Sequence, residues 1–395
     1  MALKLKPITS LKFYHTIYIC VAVLVAVSVI ASYSLTGELW QPILQGLGGF
    51  GLMVIVSKIN YQKINRFYQL FFIIAFLLLL MTVIFGKGGG GRSLSLGFVS
   101  FQTFYIVTIL YLFYLCTRSA YEMSNGITLD GKMAAVRLTV FAIFTGLIAM
   151  RNISTAMLLF GTGMMVLYVS GIRVKYLGIF LLAIMVAGGI YIGGSALKNK
   201  GEKEKEKAQT EETKTRGGTG YNRIKYWLTG ESDVEGYGRQ MTLARTAVAR
   251  SAHLPQPGKG VIKDKMPEGE NDFVYSLICE ELSVGVGILL LVLYFIIFFN
   301  IIFYISRKAK GNFVKLYSLA IALLMLGQVF IHVGTNINLI PATGQTLPFV
   351  SRGATALFAT FFIFGTLINM GKQVLMNADA DDTELNIESP IINPK

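Results

Sequence analysis

A single carboxylate, Asp272, has the sequence surroundings that a catalytic base at a membrane surface would need. It lies where a long charged loop gives way to about thirty almost uncharged residues. An acid placed where water meets lipid can stay ionised, face a membrane-borne substrate and accept a proton from it. Aspartate is also a favoured residue at a helix N-cap. From this residue alone, the chemical and the capping interpretations are equally good.

Two further acids, Glu280 and Glu281, follow eight and nine residues after Asp272. If the helix is continuous, they lie about 12 Å deeper in the membrane than Asp272. Adjacent helical residues point about 100° apart, so the two carboxylates need not share a partner. Ionisable groups at membrane depth must face protein or a wet cavity. Both glutamates are therefore candidates for a polar site.

The last two apolar segments contain the densest polar pattern. Their spacing places on one helix face Gln328, His332, Thr335 and, at its edge, Asn336. Residues 341–355 follow and contain Ser351 and Arg352, with two prolines and two glycines within thirteen residues, so they cannot form continuous helix. Irregular backbone at membrane depth is tolerated where protein buries it or a cavity wets it. We expect a re-entrant segment lining a site, and an ordinary tight turn is the alternative.

The loop before Asp272 has three distinct parts. Residues 198–214 alternate Lys and Glu and are expected to be a solvated, flexible insertion. Residues 221–228 mix basic and aromatic side chains, which suits the membrane interface. Residues 238–250 predict a short amphipathic helix, with a glycine-containing turn at 257–260. Arginines on this loop match phosphate oxygens and suit a lipid diphosphate, although head-group anchoring explains any single one equally well.

The composition indicates a membrane protein built from helices. Of the 395 residues, 53% are hydrophobic and 15% are charged, and the mean hydropathy is +0.58. Apolar runs long enough to cross a bilayer recur about ten times. They cover residues 14–34, 41–57, 68–86, 102–117, 135–150, 153–171, 174–195, 273–306, 313–339 and 347–374. The predicted fold is all-α, a single polytopic membrane domain over residues 1–395.

The placement of charge predicts how these spans are oriented. Lys and Arg cluster before the first span and after the second, fourth, sixth and eighth, as the positive-inside rule expects of cytoplasmic segments. Both termini then lie inside and the loop 196–271, between the seventh and eighth spans, lies outside. The net charge of +14 follows this pattern and does not indicate nucleic acid. The acidic tail at 375–395 is expected to be disordered and cytoplasmic.

No metal centre or disulfide framework can be read from the sequence. The three cysteines are scattered in or beside apolar runs, without the spacing of a metal site or a disulfide scaffold: Cys20, Cys116 and Cys279. They are expected to pack as small hydrophobic side chains.

These motifs resemble the SEDS family (shape, elongation, division and sporulation), which includes FtsW, RodA and SpoVE. Residues 271–275, N-D-F-V-Y, followed by E-E-L at 280–282, are similar to the family's T-D-F-I-F-A…E-E-L. Residues 328–353 resemble its Q…N…P-x-x-G-x-x-L-P-x-x-S-Y-G-G. Weaker similarities occur in the same order at 31–34, 101–102 and 152–156. The resemblance covers nearly the whole chain.

The resemblance implies an inverting peptidoglycan glycosyltransferase that polymerises lipid II at the outer face of the bacterial cytoplasmic membrane. Asp272 falls on the family's essential aspartate and would act as general base on the acceptor hydroxyl. The leaving diphosphate needs positive charge, from Arg245, Arg250 or Lys259 or from Mg²⁺ or Mn²⁺. The remaining expected substrate-binding residues are Glu281, Gln328, His332, Asn336, Ser351 and Arg352. The implied partners are a class B penicillin-binding protein and other proteins of the division or elongation machinery.

Several positions depart from the family pattern and indicate a divergent branch. The substituted positions are His332 for Asn, Arg352 for an aromatic residue, Ala354 for Gly, Asn271 for Thr or Ser, and Arg151-Asn152 for Pro-Asp. None of them removes Asp272. The loop pattern leans slightly towards the division type, FtsW, over the elongation type, RodA.

Two other classes of protein stay open at this stage. A lipid II flippase would also use broken helices and a polar midplane face, although no internal repeat is visible. A scaffold that only recruits a transpeptidase would not need Asp272 at all. Fold by itself does not separate these classes.

Overall fold

The computed structural model describes residues 13–86, 94–96, 99–184, 227, 237–251, 255–266 and 269–387. Of the predicted loop segments, 198–214 and most of 221–228 lie outside these ranges. In the described part the chain is almost entirely helical, with one short antiparallel hairpin, β1 (Leu94–Leu96) and β2 (Val99–Phe101). The prediction of an all-α polytopic membrane fold is confirmed.

The described part of the chain contains fourteen α-helices. In chain order they are α1 (Phe13–Thr36), α2 (Trp40–Val56), α3 (Tyr61–Asn65), α4 (Tyr68–Phe85), α5 (Thr103–Ser124), α6 (Lys132–Ala149), α7 (Ile153–Val169), α8 (Val174–Ile184), α9 (Tyr237–Ala249), α10 (Gly269–Asp272), α11 (Val274–Leu282), α12 (Val284–Asn300), α13 (Asn312–Asn336) and α14 (Ala354–Ile387). A 3-10 turn, Lys263–Lys265, precedes α10, and α12 continues as a π-helix, Ile301–Ser306.

Seven of these helices are long and apolar enough to cross a membrane: α1, α4, α5, α6, α12 with its π-helical end, α13 and α14. Three shorter apolar helices, α2, α7 and α8, lie where the second, sixth and seventh spans are expected. Each expected span thus has an apolar helix, while the count of ten membrane crossings stays a prediction.

Burial separates inner helices from peripheral ones. In α5, 78% of the most apolar window is buried inside the protein, whereas in α4 the share is 17%. Helix α13 packs against both α5 and α7, and α14 packs against α2. Because the polar residues of α13 lie in this inner layer, they face other helices and not lipid.

The eighth apolar run is not one helix, which corrects the prediction of a continuous span over 273–306. The chain turns at Ser283, whose φ of 95° lies in a region that L-residues other than Asn and Asp seldom occupy. Helix α11 then folds back on α12, and Cys279 and Tyr275 cover Gly287 so closely that a Cβ there would lie 2.7 Å from the Cys279 sulfur. The apolar run therefore encodes a helical hairpin, and Asp272 precedes a short helix instead of opening a membrane span.

The last helix is longer than predicted. Disorder was expected over 375–395, but α14 continues as helix to Ile387. No glycine or proline occurs between Gly371 and Pro390, and Ala, Leu, Met and Glu in this stretch are good helix formers. Residues 388–395 lie outside the described part, and the disorder of the tail stays a prediction.

Candidate functional site

Asp272 ends the four-residue helix α10 and is half-buried. The N-cap of the next helix, α11, is Phe273 and not Asp272, and that cap has no side-chain hydrogen bond. Asp272 therefore does not occupy the N-cap position of α11 that the capping interpretation gave it. Its backbone carbonyl accepts a hydrogen bond from Asn336 Nδ2 at 3.3 Å, which ties the catalytic candidate to α13.

Two side chains of α13 cap helix α11 from outside. The first turn of any helix leaves backbone N–H groups without intrahelical partners. Here the N–H of Ser276 donates to Asn336 Oδ1 at 2.9 Å, and the N–H of Tyr275 donates to His332 Nε2 at 3.4 Å. Because His332 and Asn336 are fully buried, they fix the start of α11, and with it Asp272, against the core.

The second nitrogen of His332 fixes the re-entrant segment. His332 Nδ1 lies 2.7 Å from the carbonyl oxygen of Gln345. Because a carbonyl only accepts, Nδ1 carries the proton and Nε2 is the acceptor, which identifies the neutral tautomer. Gln345 Nε2 in turn donates to Thr155 Oγ1 at 2.9 Å at the start of α7. One imidazole thus joins α11, the re-entrant segment and, through Gln345, α7.

The segment predicted to be re-entrant is irregular backbone between α13 and α14. Its apolar side chains are buried, among them Leu347, Phe349 and Val350. Ser351 donates its hydroxyl to the carbonyl of Asn271 at 2.8 Å and accepts from the N–H of Leu347 at 2.8 Å. The residue before Asp272 is therefore held by the re-entrant segment, just as the residues after it are held by α13.

Arg352 connects three parts of the chain around Asp272. Its guanidinium donates to a carboxylate oxygen of Glu270 in α10, to Glu38 Oε2 at 2.5 Å and to Gln41 Oε1 at 2.8 Å. Burial alone would lower the pKa of Arg352, but the hydrogen bonds and charges of Glu270 and Glu38 outweigh it and raise the pKa. Arg352 therefore stays cationic and joins α10, the start of α2 and the segment between α1 and α2 to the end of the irregular segment before α14.

Gln328 lies apart from this group. It is buried two turns earlier in α13, and its Oε1 accepts from the hydroxyl of Tyr105 at 3.4 Å. Tyr105 also lies 3.0 Å from Thr360 Oγ1. Gln328 thus joins α13, α5 and α14 inside the bundle, about 12 Å along the helix from Asn336.

Glu280 and Glu281 both bind the loop before Asp272, and an oxygen of each lies close to Gly260. Glu281 accepts from the backbone N–H of Gly258 at 2.5 Å and of Gly260 at 3.0 Å, and from the Ser34 hydroxyl at 2.6 Å. Glu280 accepts from the N–H groups of residues 261 and 262 at 3.1 and 3.3 Å. Four backbone N–H groups within residues 258–262 thus converge on two carboxylates. In this structure Glu281 holds the loop, and its oxygens point at protein donors.

We call the attachment of residues 258–262 to Glu280 and Glu281 the loop clamp. A cation that the sequence analysis missed, Lys263, is also part of it. Lys263 Nζ donates to the carbonyl of Ser34 at 3.0 Å and lies 3.6 Å from Glu281 Oε1. Its charge offsets that of the buried carboxylate. The sequence carried no signal for it, because Lys263 is one of several lysines in a charged loop.

Substitution of Gly260 by alanine is expected to loosen this loop. A Cβ at Gly260 would lie 2.3 Å from Glu281 Oε1, too close unless the backbone shifts. Overpacking of this kind costs about 1–3 kcal/mol, so amide hydrogens of 256–263 should exchange roughly tenfold faster or more. Hydrogen exchange read by mass spectrometry measures this. Gly311→Ala is the matched control, because open space surrounds Gly311. If the amides of 256–263 exchange at the same rate in both variants, Glu280 and Glu281 do not hold this loop.

The loop also builds a small second core on the helix hairpin. The predicted amphipathic helix is confirmed as α9, which packs on α11. Its buried residues Met241, Ala244 and Ala247 lie on one face. The side chains of this second core are Ala244, Ala247, Ile262, Met266, Phe273 and Leu277. Because Phe273 follows Asp272 directly, this core supports the candidate site from outside the bundle.

The basic residues predicted to bind diphosphate lie on the outer face of this unit. Arg245 and Lys259 are exposed. Arg250 is 53% exposed and its Nε lies 3.5 Å from Glu280 Oε1. No group of three His, Cys, Asp or Glu side chains gathers in a metal-binding arrangement among the described residues. The three cysteines are buried thiols, as expected of small hydrophobic residues.

Fold and site together define a polytopic helical membrane protein with a half-buried carboxylate held at one end of its bundle. The chain belongs to the family of FtsW, RodA and SpoVE, whose model, described as "Cell cycle protein", matches residues 8–375.

Relatives of known name cover most of the chain. Stage V sporulation protein E of Bacillus subtilis is 24% identical over 339 residues, covering 84% of this chain and 86% of its own length. The probable peptidoglycan glycosyltransferase FtsW of Coxiella burnetii is 26% identical over 340 residues, with 82% and 84% covered. The corresponding FtsW of Bacillus subtilis is 25% identical over 342 residues, with 83% and 79% covered.

Solved structures show the same fold. A chain from a peptidoglycan synthase complex that coordinates polymerization and crosslinking superposes with a TM-score of 0.69 at 18% identity, covering 91% of this chain and 97% of that one. Rod shape determining protein RodA of Thermus thermophilus gives 0.61 at 16% identity, covering 90% and 96%.

Proposed function

We propose that this protein is a peptidoglycan glycosyltransferase that joins lipid II units into glycan strands, with Asp272 as the general base. One observation carries the proposal. The backbone around Asp272 is fixed on both sides, by Ser351 before it and by Asn336 and His332 after it. A general base must lie within hydrogen-bond distance of the proton that it removes, so its position must be held accurately. The hydrogen bonds on both sides of Asp272 meet this requirement.

The chemistry requires one proton transfer and one displacement. Asp272 takes the proton from the 4-hydroxyl of the acceptor sugar while that oxygen attacks the anomeric carbon of the donor. The new glycosidic C–O bond forms as the bond from that carbon to the diphosphate oxygen breaks, which inverts the anomeric centre. Undecaprenyl diphosphate leaves with the bonding electrons.

The developing charge on the diphosphate needs cations near the reacting carbon. Lys259 can supply one such cation, because it is exposed on the segment whose backbone Glu280 and Glu281 hold. Arg245 and Arg250 offer further charge on α9 and just after it. A Mg²⁺ or Mn²⁺ ion would be held chiefly by the substrate's diphosphate, since Mg²⁺ commonly binds through phosphates and one or two carboxylates.

The remaining roles are proposals of the same kind. Our sequence reading favours the division type over the elongation type. A class B penicillin-binding protein is the proposed transpeptidase partner, in line with the peptidoglycan synthase complex to which the similar chain belongs. The proposed location is the bacterial cytoplasmic membrane, with both termini in the cytoplasm and the Asp272 end of the bundle outside.

Purified protein reconstituted with its cognate transpeptidase is expected to convert labelled lipid II into glycan strands while moenomycin silences classical polymerases. Gel separation of the labelled strands reads the result. Intact lipid II after incubation with a stable complex would contradict the proposal and favour the scaffold. Lipid II that moves across liposome membranes without being polymerised would favour the flippase.

A further inference from the structure

Arg352 is a cation that is bonded directly to the short helix ending at Asp272. Its Nη1 donates to a carboxylate oxygen of Glu270 in α10, and its neighbour Ser351 donates to the carbonyl of Asn271. Residues 351 and 352 thus contact the two residues that precede Asp272. These contacts place a guanidinium beside the proposed base, where a leaving diphosphate needs positive charge.

Other basic residues near this end of the bundle are placed differently. Arg245 and Lys259 are exposed on the loop before α10. Arg250 and Lys263 lie 3.5 Å and 3.6 Å from the two carboxylates of the loop clamp, so their charge is already used there. The side chain of Arg352 is 16% exposed, and it combines this shielding from water with a hydrogen bond to α10.

The two carboxylates that bind Arg352 are held to different degrees. Glu270 belongs to α10, and its side chain is 33% exposed. Glu38 lies on the connection between α1 and α2, and its side chain is 58% exposed. An ion pair with such an exposed carboxylate contributes little free energy, because water can replace the partner. The backbone N–H of Glu38 is held separately by Thr36 Oγ1 at 3.3 Å, so the Glu38 side chain can leave without moving the chain.

The guanidinium also has donors to spare for a second anion. Arginine has five N–H groups in a planar fork that matches the oxygens of a phosphate. Three hydrogen bonds join Arg352 to described residues, one to Glu270, one to Glu38 and one to Gln41. If Glu38 leaves, three of the five N–H groups face an incoming anion, and a negative charge that would repel this anion moves away.

We propose that Arg352 binds the diphosphate of the substrate, and that Glu38 occupies the same guanidinium until the diphosphate displaces it. This proposal rests on the proposed function and names a residue that holds the leaving group. Because one anion replaces another, the partly buried cation is paired in both states. Glu270 keeps its contact throughout and so holds the guanidinium beside Asp272. The family pattern has an aromatic residue at this position, which makes the cation a feature of this chain.

Binding of farnesyl diphosphate tests the proposal without any turnover. Purified protein in phosphatidylcholine nanodiscs is titrated with this probe, and microscale thermophoresis measures the Kd, with empty nanodiscs as the blank. Glu38→Gln removes the competing charge and should lower the Kd roughly threefold, the size of effect expected of an exposed ion pair. Arg352→Gln should raise the Kd about tenfold or more, because charge-assisted hydrogen bonds to the diphosphate are lost.

A double variant separates displacement of Glu38 from a general effect of charge. If Glu38 acts through Arg352, Glu38→Gln has no effect on the Kd once Arg352→Gln is present. Asp264→Asn removes a carboxylate from the exposed turn before α10 and should leave the Kd unchanged. A threefold gain from Glu38→Gln in both backgrounds, or an equal gain from Asp264→Asn, would overturn the proposal in favour of surface charge.

Two further outcomes also decide the matter. If Arg352→Gln does not fold, the comparison of Glu38→Gln with Asp264→Asn is sufficient, and equal Kd values for the two would overturn the proposal. If phosphatidylglycerol in the nanodisc displaces the probe from the wild type as completely as undecaprenyl diphosphate does, the site binds phospholipid head groups, and its assignment to the substrate is overturned.

The result is separable from that of the polymerisation assay, because the probe binds without reacting. Binding that depends on Arg352, in a protein that forms no glycan strands, would keep the diphosphate site and reject the polymerase. Glycan strands from a protein whose Kd for the probe does not change in Arg352→Gln would keep the polymerase and reject the diphosphate site.

Discussion

Asp272→Asn is expected to lower the rate of lipid II polymerisation about a thousandfold, within the range of about 10²–10⁴ that a general base contributes. The amide keeps the shape of the side chain but does not take up a proton at neutral pH. The hydrogen bonds accepted by the backbone carbonyls of Asp272 and Asn271 are left in place by this isosteric substitution. The variant should therefore fold and bind its partner as the wild type does. Initial rates of glycan-strand formation measure the effect.

Asp264→Asn is the control for that substitution. Asp264 is an exposed carboxylate in the loop segment that precedes Asp272, in the turn Lys263–Lys265. Its loss removes the same unit of charge from the same surface without touching the proposed base. Equal rates for Asp272→Asn and the wild type would remove Asp272 from the chemistry. If both variants lose the same fraction of the polymerisation rate, the effect of Asp272→Asn comes from the loss of surface charge and not from the loss of a base.

The sequence predicted polar residues that the structure brings together around Asp272, and the structure adds what each of them contacts within the protein. His332, Asn336, Ser351 and Arg352 were selected as substrate-binding residues because polar groups are costly at membrane depth. The structure gathers all four around Asp272, yet each one contacts the backbone or a side chain of the protein itself. The free-energy cost of a polar side chain at membrane depth identifies residues that must have a polar partner. It does not distinguish a substrate from a neighbouring helix.

The helical hairpin of α11 and α12 was beyond the reach of hydropathy. Apart from Glu280 and Glu281, residues 273–306 are almost entirely apolar or uncharged. Nothing in the spacing of the apolar side chains marks the turn that the chain makes at Ser283. The sequence did not predict that Glu280 and Glu281 bind the loop, because it did not predict the turn at Ser283. On a continuous helix Glu280 and Glu281 diverge into the membrane, whereas the hairpin brings both to the loop at 258–262. Because the turn at Ser283 was not predicted, the partners expected for Glu280 and Glu281 differ from those that the structure shows.

Asn336→Leu is expected to lower both stability and turnover. The substitution leaves the N–H of Ser276 and the carbonyl of Asp272 without their partner, and each buried group left unsatisfied costs about 1–3 kcal/mol. The start of α11 should then shift, and a displacement of about 1 Å at a reacting group can lower the rate about a hundredfold. Thermal unfolding in nanodiscs and the initial rate per folded molecule measure the two effects.

Asn369→Leu separates positioning of the base from stability alone. Asn369 also accepts from one backbone N–H, that of Tyr61 at 3.0 Å, and donates to one backbone carbonyl, that of Ser57 at 3.1 Å. It lies fifteen residues after Ala354, about 22 Å along α14 and away from Asp272. Both variants should lose stability, but only Asn336→Leu should slow the folded protein. If the two lower the rate per folded molecule equally, Asn336 stabilises the bundle and does not position Asp272.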